Sequence, residues 1–218
     1  MDINAYMTMS GVYLIIAFAG LVTYGLYWGV RHNRRILLSV FNALIVVVKP
    51  DDQTFTSIGG CVGGHACLYP RRGDSVVQVD ATLTLLPRHS WLYMPLSFLI
   101  MRYDRLFVTM HVQARLPGEG HLIEARYAGF RGPAITNAWK LSKDTIRWGC
   151  HDFYLYYDTY GVREHLYGFL RQNPEPGAVR HIALVPDQRK GFVFMLPAAG
   201  PVECSFAPVY DWMASLAV

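Results

Sequence analysis

The sequence predicts an α+β protein: a single N-terminal transmembrane helix followed by one mixed α/β cytoplasmic domain with mainly antiparallel strands. Residues 3–30 contain no charged side chain, and about 20 apolar residues in a helix cross the ~30 Å hydrocarbon layer of a membrane. The rest of the chain alternates between strand-like and helix-like hydrophobic patterns separated by short turns. Its length suits one domain. We therefore divide the chain into residues 1–10, a short external N-terminus, residues 11–30, the transmembrane helix, and residues 31–218, the domain.

The flanks of the apolar segment predict its orientation. Arginines and aromatic residues gather at its C-terminal end, whereas Asp2 is the only charged side chain before it. Positively charged flanks stay on the cytoplasmic side, and aromatic side chains mark the membrane surface. The N-terminus is therefore expected outside and the domain in the cytoplasm. The predicted membrane-interface anchors are Tyr27, Trp28, Arg31, Arg34 and Arg35.

A cleaved signal peptide is the alternative explanation of this segment. A signal peptide needs a positively charged start, which this sequence lacks, and the Ala17-Phe18-Ala19 motif that resembles a cleavage site lies in mid-span. An uncleaved anchor is therefore the favoured interpretation.

The second apolar segment, residues 36–48, follows the arginines directly. It is too short to cross a bilayer alone. A re-entrant or interfacial segment remains open, but a buried helix continuing from the anchor is favoured. Pro50 predicts its end, because the residue before a proline avoids helical geometry.

The domain that follows carries hydrophobic patterns of both kinds. Residues 55–69 predict a strand pair or one bulged strand, and residues 150–158 predict a strand, although a helix stays open there. The other predicted strands are residues 76–86, 106–113, 121–127, 179–185 and 191–196, and the predicted helices are residues 90–101, 162–171 and 208–217.

Composition and motifs argue against most enzyme classes. The net charge of +4 is too small to indicate a nucleic-acid binder, and four cysteines without a CxxC motif fit a reducing compartment. The glycines of residues 59–64 form neither a P-loop nor a dinucleotide fingerprint, and no GxSxG or HExxH motif occurs. No two carboxylates lie on one element as an acid/base pair. We therefore expect a protein that is not an enzyme, has no small-molecule substrate and needs no cofactor.

One cluster could bind a metal ion. Cys61, His65 and Cys67 would share a face if they lay on one strand, and Cys150 with His151 could complete a tetrahedral zinc site. The spacing is not a standard one, and small buried thiols in a glycine-rich strand are the simpler explanation. We predict no metal site and keep these residues as weak candidates.

The apolar stretch of residues 91–101 is hydrophobic around most of a helix. Such a helix is either wholly buried in the domain or faces lipid or a partner. Nearby arginines could contact anionic headgroups or RNA phosphates, with a solvated surface as the alternative. The predicted partner or lipid contacts are Trp91, Leu92, Met94, Leu96, Phe98 and Met101, and the arginines are Arg71, Arg72, Arg102 and Arg105.

Several motifs follow one another along the chain. The first are the transmembrane helix, the Asn33-Arg34-Arg35 motif and a helix carrying Phe41. Next come Phe55-x-x-Ile58-Gly59, the strand, apolar helix and strand of residues 83–112, and a C-terminal block over residues 163–197 before a last helix. The order of these features, over roughly residues 11–218, resembles the calumin family, the coiled-coil-domain membrane proteins of the PAT complex.

The resemblance implies a non-enzymatic intramembrane chaperone, a translocon-associated factor in the biogenesis of multipass membrane proteins. The partners implied are a small Asterix-like membrane protein, the Sec translocon and membrane lipids. The family's acidic luminal region and basic coiled coil have no counterpart here, which suggests a minimal or prokaryotic, archaeal-like version and puts ribosome contact in doubt. The alternatives are a structural subunit of another membrane complex, or a membrane-tethered metal-binding or enzymatic domain using Cys61, His65 and Cys67.

Overall fold

A computed structural model describes residues 3–128, 135 and 138–217, without the side chains of residues 3–10 and 100. Over these residues it has one long apolar α-helix, a nine-stranded sheet and three further α-helices, which confirms the α+β prediction with a single candidate transmembrane helix. The helices are α1 (Ile3–Val48), α2 (Met94–Ile100), α3 (Tyr160–Gln172) and α4 (Val202–Leu216). The strands are β1 (Asp52–Ser57), β2 (Gly63–Tyr69), β3 (Val76–Thr84), β4 (Arg105–Val112), β5 (Gly120–Glu124), β6 (Ser142–Trp148), β7 (His151–Tyr157), β8 (Val179–Val185) and β9 (Lys190–Met195).

Helix α1 is continuous over 46 residues, so it is roughly 69 Å long at about 1.5 Å per residue. Within the described residues it is the one helix long and apolar enough to cross a membrane, over the segment Gly11–Val48. Its residues 12–24 are exposed, whereas Val40, Phe41 and Leu44 are buried in the core of the domain. The segment of residues 36–48 is therefore a continuation of α1, rather than a re-entrant segment, and it buries one face in the domain while Leu38 and Val46 on the other face are exposed.

The sheet has the strand order β1-β2-β3-β4-β9-β8-β5-β7-β6, and every neighbouring pair is antiparallel. The first four strands form a meander. The β8–β9 hairpin then joins the meander to β5, because β9 pairs with β4 and β8 pairs with β5. Strands from both halves of the chain therefore meet at the centre of the sheet.

The core lies on one face of this sheet. Strands β3 and β4 alternate between buried apolar and half-buried side chains, so that Ala81, Leu83 and Val108 all point into the core. Helix α4 packs against α1, while α1 also contacts β2 and α3 contacts β5 and β7. Buried Phe206 and Leu166 show that α4 and α3 close the core with their apolar sides.

The second face of the sheet carries polar and aromatic side chains that are mostly half-buried. On β3 and β4 these include Asp80, Phe107 and His111, and on β9 Phe192. This is the face on which the polar clusters described below lie.

Several local boundaries differ from the sequence-based assignment. Strand β6 was not predicted, residues 55–69 form parts of two paired strands, and the helix expected from residue 208 begins at Val202. The segment of residues 150–158 is a strand, β7, and not the helix that the sequence left open. The edge strands were the hardest to assign, because β1 is exposed along its whole length and β6 along most of it.

Candidate functional site

The connection between β3 and β4 lies against the middle of α1. This connection, residues 85–104, contains α2, and we call it the apolar loop. It meets α1 at Gly25, Gly29 and Asn33, which lie four residues apart and so share one face of the helix. A Cβ at Gly29 would overlap the backbone of Arg88, and one at Gly25 would lie 2.7 Å from the Trp91 ring. Small residues on α1 therefore allow the close approach.

The buried side chain of Asn33 closes this contact. Its Nδ2 donates hydrogen bonds to the carbonyl oxygens of Cys61, at 2.9 Å, and Leu86, at 2.8 Å. Its Oδ1 accepts a hydrogen bond of 3.0 Å from Arg88. Both polar atoms of the Asn33 side-chain amide therefore form hydrogen bonds with the segments that precede β2 and follow β3.

An ion pair fastens the two ends of the apolar loop together. Arg88 donates to both carboxylate oxygens of Asp104, at 2.9 and 2.8 Å, and the backbone N–H of Leu86 donates to the same carboxylate at 2.8 Å. Only 15% of the Arg88 side chain and 4% of the Asp104 side chain are exposed. A bidentate pair with this burial fixes orientation as well as distance.

The predicted contact residues all lie on the apolar loop. Leu92 is 78% exposed, and among the described side chains of α2 only Ser97 is buried, so the interpretation of residues 91–101 as a wholly buried core helix is wrong. Of the predicted contacts, Trp91, Leu92, Leu96 and Phe98 are exposed, and Met94 and Met101 are half-buried.

The predicted interface anchors lie on α1 beside this contact. The Tyr27 hydroxyl accepts a 3.0 Å hydrogen bond from Arg31, and the Trp28 ring stacks on His32 with centroids 5.1 Å apart. Arg34 and Arg35 are exposed one turn further on. The arginines therefore sit level with Asn33, where α1 enters the domain.

The weak metal candidates do not converge. Cys61 lies in the turn before β2 with its Sγ 3.2 Å from Nδ1 of His89, so it does not share a strand face with His65 and Cys67. Strands β2 and β7 are separated by six inter-strand steps, roughly 29 Å at about 4.8 Å each, which removes Cys150 and His151. Among the described residues no group of three or more potential ligands could hold a metal ion.

Cys67 belongs instead to a hydrogen-bonded cluster around Asp80 on the second face. His65 lies beside this cluster, with its Nδ1 3.0 Å from the Thr82 hydroxyl and its Nε2 3.9 Å from Asp80. His111 Nε2 lies 2.9 Å from Asp80, and Gln78 donates to both Asp80 and Cys67. Burial raises the pKa of Asp80, but hydrogen bonds from Gln78, Cys67 and His111 outweigh it, and the net pKa is lowered. Burial raises the pKa of the Cys67 thiol, which keeps it protonated and unsuited to nucleophilic attack.

A cavity of about 600 Å³ opens on the second face, and we call it the arginine pocket. Its walls come from β4, β5, β8 and β9, from the start of β7 and from the segment that follows α2. Aromatic rings line one side of it. Phe107 stacks on Phe194 with centroids 5.1 Å apart, and Tyr127 meets Phe194 edge-on at 5.4 Å. The charged residues in its lining are Arg102, Arg105, Arg126, Arg180 and Glu124.

The one acidic side chain in this lining is already compensated. Glu124 Oε2 lies 3.0 Å from Nε of Arg180, without the alignment of a hydrogen bond, and Oε1 lies 3.3 Å from Nδ1 of His151. Arg180 also donates to the carbonyl oxygens of Gly177 and Val179, at 2.8 and 2.6 Å. In this buried pair the charges of Glu124 and Arg180 neutralise each other.

The other three arginines of the pocket have no such partner in the part of the chain that the structure describes. None of Arg102, Arg105 and Arg126 forms an ion pair with a described acidic side chain. The pocket therefore presents an excess of positive charge beside an aromatic wall.

His181 forms part of the lining and is 3% exposed. Neither ring nitrogen has a hydrogen-bond partner among the described residues. Burial, followed by the neighbouring charge of His121, lowers the pKa of His181 to about 3. The ring is therefore neutral at pH 7, and it offers one donor and one acceptor to anything that enters the pocket.

Sequence patterns found this pocket only in part. Arg102 and Arg105 were singled out as candidate contacts for anionic groups, but Glu124, Arg180 and His181 were not. A usable signal was present in β8, where Arg180 and His181 interrupt an apolar strand, since buried charged residues are rare unless paired. No protein-family model matches this sequence, and none of the curated proteins compared with it is significantly similar.

Proposed function

We propose that this protein is a non-enzymatic, membrane-anchored factor in the biogenesis of multipass membrane proteins, an intramembrane chaperone or translocon-associated scaffold. In this proposal the exposed face of the apolar loop and α1 together bind a transmembrane helix of a partner or client. The observation that carries the proposal is the exposure of large apolar side chains on the apolar loop beside the apolar half of α1.

Water is a poor environment for this surface. Leaving a large apolar side chain in water forgoes about 1.5–3 kcal/mol of burial free energy, and Leu92, Leu96 and Phe98 are 78%, 49% and 49% exposed. Contiguous exposed apolar patches usually mark contact with a membrane or a protein. The apolar segment of α1 also exposes large apolar side chains, with Leu14 and Ile15 71% and 69% exposed, and it too is expected to contact a membrane or a protein.

The contact with α1 suggests the depth of the apolar loop. Gly25, which lies against Trp91, precedes Arg31 by six residues, or about 9 Å along a helix. If Arg31 lies at the membrane surface, Trp91 and α2 reach into the adjacent leaflet. The anchor arginines support a cytoplasmic domain and an external N-terminus.

A transmembrane helix is the occupant that we favour for this surface. Apolar surfaces gain little by meeting each other in lipid, so helices associate there through close packing at small residues and through polar contacts. Gly20 on α1 faces open space and gives another helix room to approach. The resemblance to the calumin family supports a small Asterix-like membrane protein and the Sec translocon as partners, with lipid at the rest of the surface.

Chemical labelling tests the orientation. Cys150 and Cys204 are exposed thiols in the domain, so in intact cells we expect a membrane-impermeant maleimide to miss both and to label both after lysis. A membrane-permeant maleimide should label them in either case and serves as the control. Equal labelling by the impermeant reagent before and after lysis would place the domain outside.

Site-specific photocrosslinking tests the function. A photoreactive residue at Leu92 or Phe98 should yield discrete adducts with membrane proteins in native membranes. Trp139, which is 80% exposed in the segment before β6, is the matched control and should yield few. If Leu92 and Phe98 gave only lipid adducts, or adducts no different from those of Trp139, the proposed helix-binding role would be refuted.

The adducts also separate the proposal from its nearest alternative. A structural subunit of another membrane complex would give one stoichiometric partner at all times. A biogenesis factor should give adducts with newly synthesised multipass proteins that disappear when protein synthesis is stopped.

A further inference from the structure

We propose that the arginine pocket binds the phosphate group of an anionic membrane lipid, with the apolar part of the lipid against the pocket's aromatic wall. This inference rests on the membrane placement proposed above, but it needs no protein partner. It assigns a ligand class to a cavity whose floor and walls come from five separate segments of the chain.

The register of the sheet places the pocket at the end of the sheet where α1 meets the apolar loop. Leu83 pairs with Leu106, and Leu106 with Met195, so the end of β3, the start of β4 and the end of β9 lie side by side. Leu86 follows β3 directly, and its carbonyl is bonded to Asn33 of α1. Met195 in turn pairs with Val179, which brings the Arg180 and His181 segment to the same end.

The apolar loop supplies a second link between pocket and membrane. Arg102 and Tyr103 line the pocket and come directly after α2, whose exposed side chains are the proposed membrane contact. A lipid whose headgroup reaches Arg102 therefore need not leave the membrane surface. Asp104, at the C-terminal end of the apolar loop, forms an ion pair with Arg88. This ion pair fixes the position of α2 relative to Arg102 and Tyr103 in the pocket lining.

The charge of the pocket matches a phosphate group. Arg102, Arg105 and Arg126 carry guanidinium groups that no described carboxylate neutralises, and a guanidinium fork binds phosphate through two parallel hydrogen bonds. The Glu124 carboxylate is held by Arg180 and His151, so it repels an incoming anion less than a free carboxylate would. This excess of positive charge favours a lipid whose headgroup has a net negative charge over one that is zwitterionic or neutral.

The unpartnered histidine is the second observation that points to a ligand. A buried imidazole with both nitrogens unbonded is unusual, because buried polar groups are nearly always hydrogen-bonded. The neutral ring of His181 can donate to a phosphate oxygen and accept from a lipid hydroxyl. A ligand seated between His181 and the three arginines would satisfy it.

The aromatic wall favours an amphiphile over a bare anion. The rings of Phe107 and Phe192 stack with centroids 6.3 Å apart, and Leu196 extends the apolar lining. A phosphate alone would leave this wall uncovered, whereas a glycerol backbone with the first carbons of an acyl chain would bury it. The volume of about 600 Å³ falls within the usual range for small-molecule sites.

Binding of short-chain lipids to the full chain in a neutral detergent tests the proposal. We expect dihexanoyl phosphatidylglycerol to bind at least about tenfold more tightly than dihexanoyl phosphatidylcholine, measured by calorimetry. The double variant Arg105→Gln, Arg126→Gln should lose about a hundredfold of the phosphatidylglycerol affinity, because each lost charged hydrogen bond lowers the affinity about tenfold. Arg72→Gln changes an exposed arginine in the turn at the opposite end of β3 and should have no effect.

Inorganic phosphate and Phe107→Leu separate the two sources of a phosphate group. If the ligand is a lipid, inorganic phosphate binds much more weakly than phosphatidylglycerol, and Phe107→Leu weakens the lipid only. Equal binding of both, unchanged by Phe107→Leu, would show a site for free phosphate and overturn the lipid assignment. If neither binds to the wild-type chain, or if the double variant folds and binds as the wild type does, the whole inference is wrong.

If the double variant does not fold, the proposal is tested by the binding of phosphatidylglycerol, phosphatidylcholine and inorganic phosphate to the wild-type chain and to Phe107→Leu. The outcome is also separate from the proposed function. Loss of lipid binding leaves crosslinking from Leu92 intact, and failure of that crosslinking does not change the calorimetric affinities.

Discussion

Asp104→Ala is expected to lower the free energy of unfolding by about 3–5 kcal/mol, because it leaves the guanidinium of Arg88 buried without its counter-charge. Asp104 also accepts from the backbone N–H of Leu86, which would lose its partner as well. The measurement is a denaturant titration of the full chain in a neutral detergent. The loss should be accompanied by easier proteolysis within the apolar loop, since this pair joins its two ends.

Asp51→Ala is the matched control for this variant. Asp51 pairs with Arg71 at 3.8 Å, and their side chains are 61% and 74% exposed, so the loss should stay below about 1 kcal/mol. If Asp104→Ala cost no more than Asp51→Ala, Arg88 would be relieved by water, and the apolar loop would not be held to α1 by this pair.

Local patterns in the sequence were sufficient to predict an element whose surroundings are uniform along its length. The uncharged stretch of residues 3–30 predicts its helix unaided. Alternation along β3 predicts a half-buried strand because neighbouring side chains point to opposite faces, and the structure places Ala81 and Leu83 in the core. The prediction fails at β6, an edge strand whose mostly exposed residues leave no alternation to detect.

The apolar loop shows why composition alone could not place residues 91–101. A helix that is apolar all round suits a protein core and a membrane equally well. The deciding information lies elsewhere in the chain, in Gly25, Gly29 and Asn33 of α1, whose spacing of four creates the surface that receives the loop. The spacing of these three residues can be read from the sequence, but the sequence does not show that residues 85–104 are the segment that packs against them.

Long-range strand pairing explains two errors of the sequence analysis. It explains why the candidate metal ligands do not lie together and why most of the arginine pocket was not predicted. Cys61 falls in a turn and bonds with His89, so spacing along the chain misrepresented its direction. The pocket joins Arg105 of β4 to Arg180 of β8 only because β9 pairs with both strands. No pattern within either segment specifies that β9 lies between them.

Acidification from pH 7 to pH 5 is expected to lower the stability of the domain by about 2 kcal/mol through His181 alone. The folded-state pKa of His181 is lowered to about 3 by burial, below its value of about 6.5 in an unfolded chain. The unfolded state therefore binds more protons in this range, and stability present above pH 6.5 is lost as the pH falls. Burial also lowers the pKa of the stacked His121, which acts in the same direction.

His181→Phe should flatten this pH dependence. Phenylalanine keeps an aromatic ring against Phe192, which the histidine meets at 5.5 Å, but it cannot bind a proton. His165→Phe, on the exposed side of α3, is the control and should leave the slope as in the wild type. Unfolding free energies at pH 7, 6 and 5 give the three slopes. Equal slopes for His181→Phe and the wild type would mean that His181 is protonated in the folded domain, as it would be if an anion already held its ring.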